Sequence, residues 1–136
     1  MIIKKTKFKG LLIVKQKNNT DSRGSLRETF NDKLLKKKVK FEYCTTSKKN
    51  VLRGFHFQFK NKQSKYVNVL KGKILDVVID LRRKSKTFGK TFKIILSKKN
   101  ALGLFIPSGF AHAYFSFDDE NIIYYKLDNY YAPRFE

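Results

Sequence analysis

The chain reads as short apolar runs divided by Gly, Asn and Lys turns. "GLLIVKQ" (10–16) has the length of a strand, and "DSRGSLRETF" (21–30) reads as a turn entering another. "NDKLLKKKVK" (31–40) offers one modest helical turn, with Asn31 or Asp32 as its N-cap. "VKFEYCTTS" (39–47) alternates and should be extended, and "VLRGFHFQF" (51–59) follows after a "KKN" turn. "KYVNVLKGKILDVVIDLR" (65–82) is a strand pair around Lys71-Gly72. "KTFKIILS" (90–97), "LGLFIPSGFAHAYFSF" (102–117) and "NIIYYKLDNYY" (121–131) close the series. Many strands at short spacing with one brief helix predict an all-β sandwich or barrel, formed by residues 1–136 as a single domain. The first twenty residues are expected to pair at a sheet edge or to cross to a partner chain.

Alternation also assigns faces. In 51–59, Phe55, Phe57 and Phe59 share one face, which is expected to pack on a core, and His56 and Gln58 share the other. Arg53 would fall on the Phe face of a regular strand, and a bulge at Gly54 would turn it toward His56. From this strand alone, a cavity wall and a satisfied structural histidine are equal readings. His112 shares its face with Tyr114 and Ser116. Tyr124 and Tyr125 are adjacent, so one of them points inward. Asp76 and Asp80 lie four apart on one face of an apolar strand, where a carboxylate needs a cationic partner; Arg82 and Lys65 are candidates.

Composition narrows this picture. The 136 residues are 41% hydrophobic and 15% aromatic, enough for a sizeable core. Apolar runs fall short of the roughly 18 residues that span a bilayer, and the N-terminus does not read as a signal peptide. One cysteine, Cys44, cannot close an internal disulfide, and the expected location is cytoplasmic. The net charge is +20, yet only six of the 31 basic residues are arginine, and the lysines scatter in short runs that read as solvated turns. Nucleic acid is therefore not expected as a partner, nor a membrane, while the positive field suits an anionic small substrate. Two histidines cannot build a three-histidine metal site and show no H-x-H or H-x-x-x-E spacing, so no metal or other cofactor is expected.

Several motifs stand in a shared order: "DSRG…E", "VLRGFHFQ", "QSKYVNVLKGKILDVVIDLRRKSKTFGK", "FIPSGFAHAYF" and "YYKLDNYYAP". In order and spacing they resemble the dTDP-4-dehydrorhamnose 3,5-epimerase family, over nearly the whole chain. The resemblance implies a cupin-like β-jelly roll, a metal-free homodimer, and a nucleotide-diphosphate sugar held inside the barrel. It implies inversion beside the ketone of a nucleotide-linked 4-keto-6-deoxyhexose at C3, C5 or both. By resemblance His56 is the catalytic base, Tyr125 the acid, and Lys65, with Arg53 nearby, faces the enolate oxygen or the diphosphate. His112 lines the sugar pocket, Gln58 and Tyr131 contact substrate, and Arg23 and Glu28 reach the nucleotide across a dimer.

Three features depart from the family pattern. The family continues past Y-Y-x-P into an extension whose aspartate orients the catalytic histidine; here the chain reaches Glu136, and His56 either lacks that partner or uses Asp80 or another carboxylate. Substrate-contacting Gln and Asn become Phe41 and Tyr43. The aromatic pair after D-x-R-G becomes Ser25-Leu26. The alternatives are a sugar-nucleotide 3,4-ketoisomerase, whose R-G-x-H-A-H contrasts with "RGFHFQ" here, and a non-catalytic cupin that binds a sugar nucleotide.

Overall fold

A computed structural model describes residues 1–36 and 38–136. Two antiparallel sheets carry the architecture. The larger has six strands, ordered β1 (Ile2–Lys5), β2 (Leu12–Lys15), β10 (Leu102–Ile106), β7 (Lys65–Lys71), β12 (Asn121–Leu127) and β5 (Phe41–Ser47). The smaller is ordered β6 (Leu52–His56), β11 (Phe110–Ser116), β8 (Lys73–Asp80) and β9 (Thr91–Ser97). A separate hairpin joins β3 (Lys17–Asp21) to β4 (Gly24–Glu28). The helical turn is α1 (Asp32–Leu35), and a 3-10 turn spans Pro133–Phe135. The fold is all-β, as expected from the pattern of strands, and is the cupin-type jelly roll that the family resemblance implies.

Period-two alternation builds the core between the sheets. Val67 and Val69 of β7, Leu104 and Ile106 of β10, and Ile123 and Leu127 of β12 meet Ile74 and Val78 of β8 and Phe110 and Tyr114 of β11. The opposite face of the larger sheet is covered as well. Tyr66 and Phe105 pack there with Val14 and with Leu35 of α1, and Phe30 leans on the cluster. That second layer explains why β7 is buried on both faces and reads as a continuous apolar run rather than an alternating one.

The strand 51–59 departs from expectation. Regular pairing ends at His56, and β6 is an edge strand. Leu52 and Phe55 are 67% and 52% exposed, and Phe59 is 52% exposed, so the Phe face does not pack on the core. The reason is topological: an edge strand of the smaller sheet turns that face away from the larger one. The bulge is present. β11 pairs His112 with His56 and Tyr114 with Arg53, so β6 carries one residue more than its partner between these pairs. Gly54 sits there with φ +111°, and a Cβ would come within 2.5 Å of the His112 carbonyl oxygen. Only glycine permits this approach.

Candidate active site

Residues of both sheets line a cavity of roughly 330 Å3. The smaller sheet and the segment after it supply Arg53, His56, Gln58 and His112. The larger sheet supplies Lys65 from β7, Tyr125 from β12, and Phe41, Tyr43 and Thr45 from β5. Tyr131 and Glu136 close the rim. Of the residues singled out from the sequence, the fold thus gathers His56, Tyr125, Lys65, Arg53, Gln58, His112 and Tyr131. Arg23, Glu28 and Asp80 are not among the residues that line it.

His56 and His112 are cross-strand partners, and each holds a carboxylate. His56 Nδ1 lies 2.5 Å from Glu136 Oε1. Donation from Nδ1–H to that oxygen leaves Nε2 as the basic nitrogen. Glu136 Oε2 accepts a 2.5 Å hydrogen bond from the Tyr131 hydroxyl. His112 uses its other nitrogen: Nε2 is 2.8 Å from Asp76 Oδ2. Both partners of that second pair are buried, at 5% and 0% side-chain exposure.

Asp80, the orienting carboxylate named from the sequence, does not hold His56; the alternative of another carboxylate is met by Glu136. Asp80 Oδ1 accepts from Arg82 Nε, and Oδ2 accepts from Arg82 Nη2, Ser85 Oγ and Thr87 Oγ1. Burial opposes ionisation of Asp80, but these hydrogen bonds outweigh it and hold the carboxyl far below the usual carboxylate range. The reassignment also moves Asp76, whose partner is His112 rather than Arg82 or Lys65. Glu136 was missed in the sequence because its contact with His56 bridges eighty positions. The local signal available was a carboxylate directly after Pro133-Arg134-Phe135, a 3-10 turn that brings the chain back over β6.

That return is anchored at three points. Ala132 N–H donates to Gln58 Oε1, Phe59 N–H donates to the Phe135 carbonyl, and the Phe59 and Phe135 rings meet edge to face. Gln58 therefore supports the rim as well as facing the cavity. Arg53 is held by Ser47 Oγ at 3.0 Å and by the Thr46 carbonyl.

The larger sheet presents different chemistry. Tyr125 is 4% exposed, whereas Tyr124, on the other face, bonds Glu42. Burial pushes the Tyr125 phenol well above its ordinary pKa; Tyr114, Asp76 and Tyr43 add to this, and a hydrogen bond with Thr45 opposes it. Burial lowers the Lys65 ammonium, and the charges of Glu136 and Asp76 pull it back up. Among the described residues no group of three or more His, Cys, Asp and Glu side chains is arranged to hold a metal ion. No helix among them is long and apolar enough to cross a membrane.

An imidazole and a phenol facing one cavity from opposite sheets is an arrangement for moving a proton on one face of a carbon and returning it on the other. The sequence matches the pattern of the family described as dTDP-4-dehydrorhamnose 3,5-epimerase over residues 5–136. The chain belongs to that family. It is similar to the dTDP-4-dehydrorhamnose 3,5-epimerase of Salmonella typhimurium, 40% identical over 143 aligned residues, covering 100% of this chain and 78% of the relative. The Methanothermobacter thermautotrophicus epimerase is 39% identical, covering 97% of this chain and 74% of its own. Among solved structures, the Legionella pneumophila epimerase in complex with dTDP-4-keto-L-rhamnose superposes with a TM-score of 0.93 at 35% identity, covering 98% of this chain and 74% of that one. The Bacillus anthracis epimerase with TDP and PPi bound gives 0.94 at 32% identity, covering 98% and 81%. This member of the epimerase family is an isomerase.

Proposed function

We propose that the cavity inverts C3, C5 or both of a dTDP-linked 4-keto-6-deoxyhexose, with His56 as base and Tyr125 as acid. One observation carries the reading: the imidazole, held through Nδ1 by Glu136, and the buried phenol stand on opposite sheets and line one cavity. His56 Nε2 takes the proton α to the ketone, and the C–H electrons move onto the carbonyl oxygen as an enolate. Lys65, set on the larger sheet, offers the cation for that oxygen. Tyr125 then gives its proton to the opposite face, and solvent restores it. A phenol held far above its ordinary pKa keeps its proton until the enolate draws it off. Glu136 fixes His56 in the tautomer with Nε2 basic.

Arg53 at the mouth and the +20 net charge favour a diphosphate. Residues 1–136 act as one domain, working on the cytoplasmic pool of activated sugars. We place Arg23 and Glu28 at the nucleotide of a partner subunit. In this chain Arg23 pairs with Asp21 on an exposed hairpin, and Glu28 accepts from Asn31. Exposed Leu26, Leu52 and Phe55 give a homodimer apolar surface to bury.

The test is incubation with dTDP-4-keto-6-deoxyglucose in deuterium oxide. Deuterium should enter at C3 or C5 with inversion, read by NMR. No exchange on this or related keto sugars would overturn the assignment, and a migrated carbonyl would instead mark a ketoisomerase.

A further inference from the structure

Tyr43 and Phe41 stand where the family pattern places polar side chains, and they do more than line the wall. Tyr43 of β5 and Tyr125 of β12 are direct cross-strand partners. Their rings stack with centroids 4.6 Å apart and planes 21° apart. Phe41 also stacks with Tyr43, at 5.9 Å and 28°. Tyr130 stacks on Phe41 at 5.8 Å and 17°, and Lys40 Nζ lies 5.7 Å from the Tyr130 ring centre. Four rings thus form one column from solvent, where Tyr130 is 62% exposed, to Tyr125 at 4%. His112 meets Tyr125 edge to face at 6.4 Å.

We propose that Tyr43 is a positioning residue for the reaction: its stacked ring, backed by Phe41 and Tyr130, holds the Tyr125 phenol on the line of proton return. The inference rests on the assignment of Tyr125 as proton donor. A phenol has one torsion that swings its ring and one that spins it, and a parallel ring at 4.6 Å blocks both. The base is on the other sheet and does not depend on the column. Disturbing Tyr43 should therefore separate two events that normally occur together. Proton removal by His56 continues, and return from His56 restores the original configuration carrying a solvent hydron. Return from Tyr125, which inverts the carbon, fails more often.

The experiment measures two rates in deuterium oxide for each variant: deuterium entry at the reacting carbon and formation of inverted product. Tyr43→Ala should keep the first within about threefold and lower the second by about tenfold, as expected for a misplaced catalytic group. Tyr43→Phe, which keeps the stack, should return the wild-type ratio. Tyr43→Leu, which fills the volume without a parallel ring, should behave as Tyr43→Ala and serves where the alanine variant melts below assay temperature. An unchanged ratio in both Tyr43→Ala and Tyr43→Leu, an equal fall of both rates, or a Tyr43→Phe variant as impaired as Tyr43→Ala would overturn the inference. Tyr125→Phe separates the two levels. If it inverts normally, the donor assignment fails and takes this inference with it. If it exchanges without inverting while Tyr43→Ala keeps the wild-type ratio, the inference alone fails.

Discussion

The two histidine–carboxylate pairs are built from the same groups and differ in almost everything else. His112–Asp76 joins adjacent strands of one sheet and is buried, and Asp76 Oδ1 is buried with no hydrogen-bond partner among the described residues. His56–Glu136 joins an edge strand to a returning 3-10 turn, with side-chain exposures of 56% and 25%. The first pair is part of the frame, because either partner left alone would be a buried polar group without its bond. The second is a working pair: its imidazole is open to substrate and can take up and release a proton without disturbing the core. Similar bonds therefore predict opposite consequences when broken.

The largest effect expected is on the base itself. His56→Ala should lower the inversion rate by roughly a thousandfold, the scale of a lost general base, and deuterium entry should fall with it. Melting should be close to wild type, since His56 packs on an edge. A variant that still exchanges the α-proton would break the comparison by moving the base to His112.

Next come the carboxylates, which should divide cleanly. Asp76→Asn should cost roughly 2 kcal/mol of stability, as for a buried hydrogen bond to a charged group, seen as a lower denaturant midpoint. Glu136→Gln should leave the midpoint in place and lower kcat by roughly 10- to 100-fold, because an amide holds the imidazole less firmly in the required tautomer. If Glu136→Gln unfolded the protein while Asp76→Asn did not, the roles of frame and working pair would be exchanged.

The smallest effect is read in alkali and comes from the opposite sheet. Tyr66, whose hydroxyl bonds Gln16, is pushed by burial up to about 12, and Tyr125 is raised as well. Above pH 10 the unfolded phenols lose their protons while the folded ones keep them. The folded state then binds more protons, and stability falls as pH rises from about 10 toward 12. Lys65, lowered by burial, acts in the other direction up to its ordinary pKa. Chemical denaturation at several pH values should show a net decline in stability above pH 10, and Tyr66→Phe should flatten part of it.

Much of the fold was legible because period-two alternation with Gly and Asn turns is strongly written in residues 65–127. What escaped has physical causes. Strand β3 is "KNNTD", exposed throughout, so it carries no apolar alternation to detect. The Phe face of 51–59 was read as core because alternation reports two faces without saying which one a sheet buries; at an edge the answer was neither rule nor exception but topology. Within the site, alternation marked His56, His112 and one of Tyr124 and Tyr125 as polar groups on apolar strands, and the family resemblance, not the strand pattern, placed Tyr125, Lys65 and Arg53 beside them. The carboxylate partners of the two histidines were not found. Asp76 reaches His112 by a diagonal of the β8–β11 register, in which His112 stands opposite Val78. Glu136 depends on a turn far along the chain, whereas Arg82, a candidate from the sequence, does hold Asp80 two residues away.

The two cavity walls also differ in how freely they can change over evolutionary time. On the smaller sheet Asp76 answers to His112, and Asp80 to Arg82, Ser85 and Thr87, so one substitution there strands a buried charge. On the larger sheet, Phe41 and Tyr43 exchange ring contacts and carry no charge, so aromatic replacements that keep the stack are tolerated far better. A lineage can exchange one ring for another on that wall in single steps without stranding a charge, so new sugar preferences can arise from positions 41 and 43 without passing through an unfolded intermediate sequence.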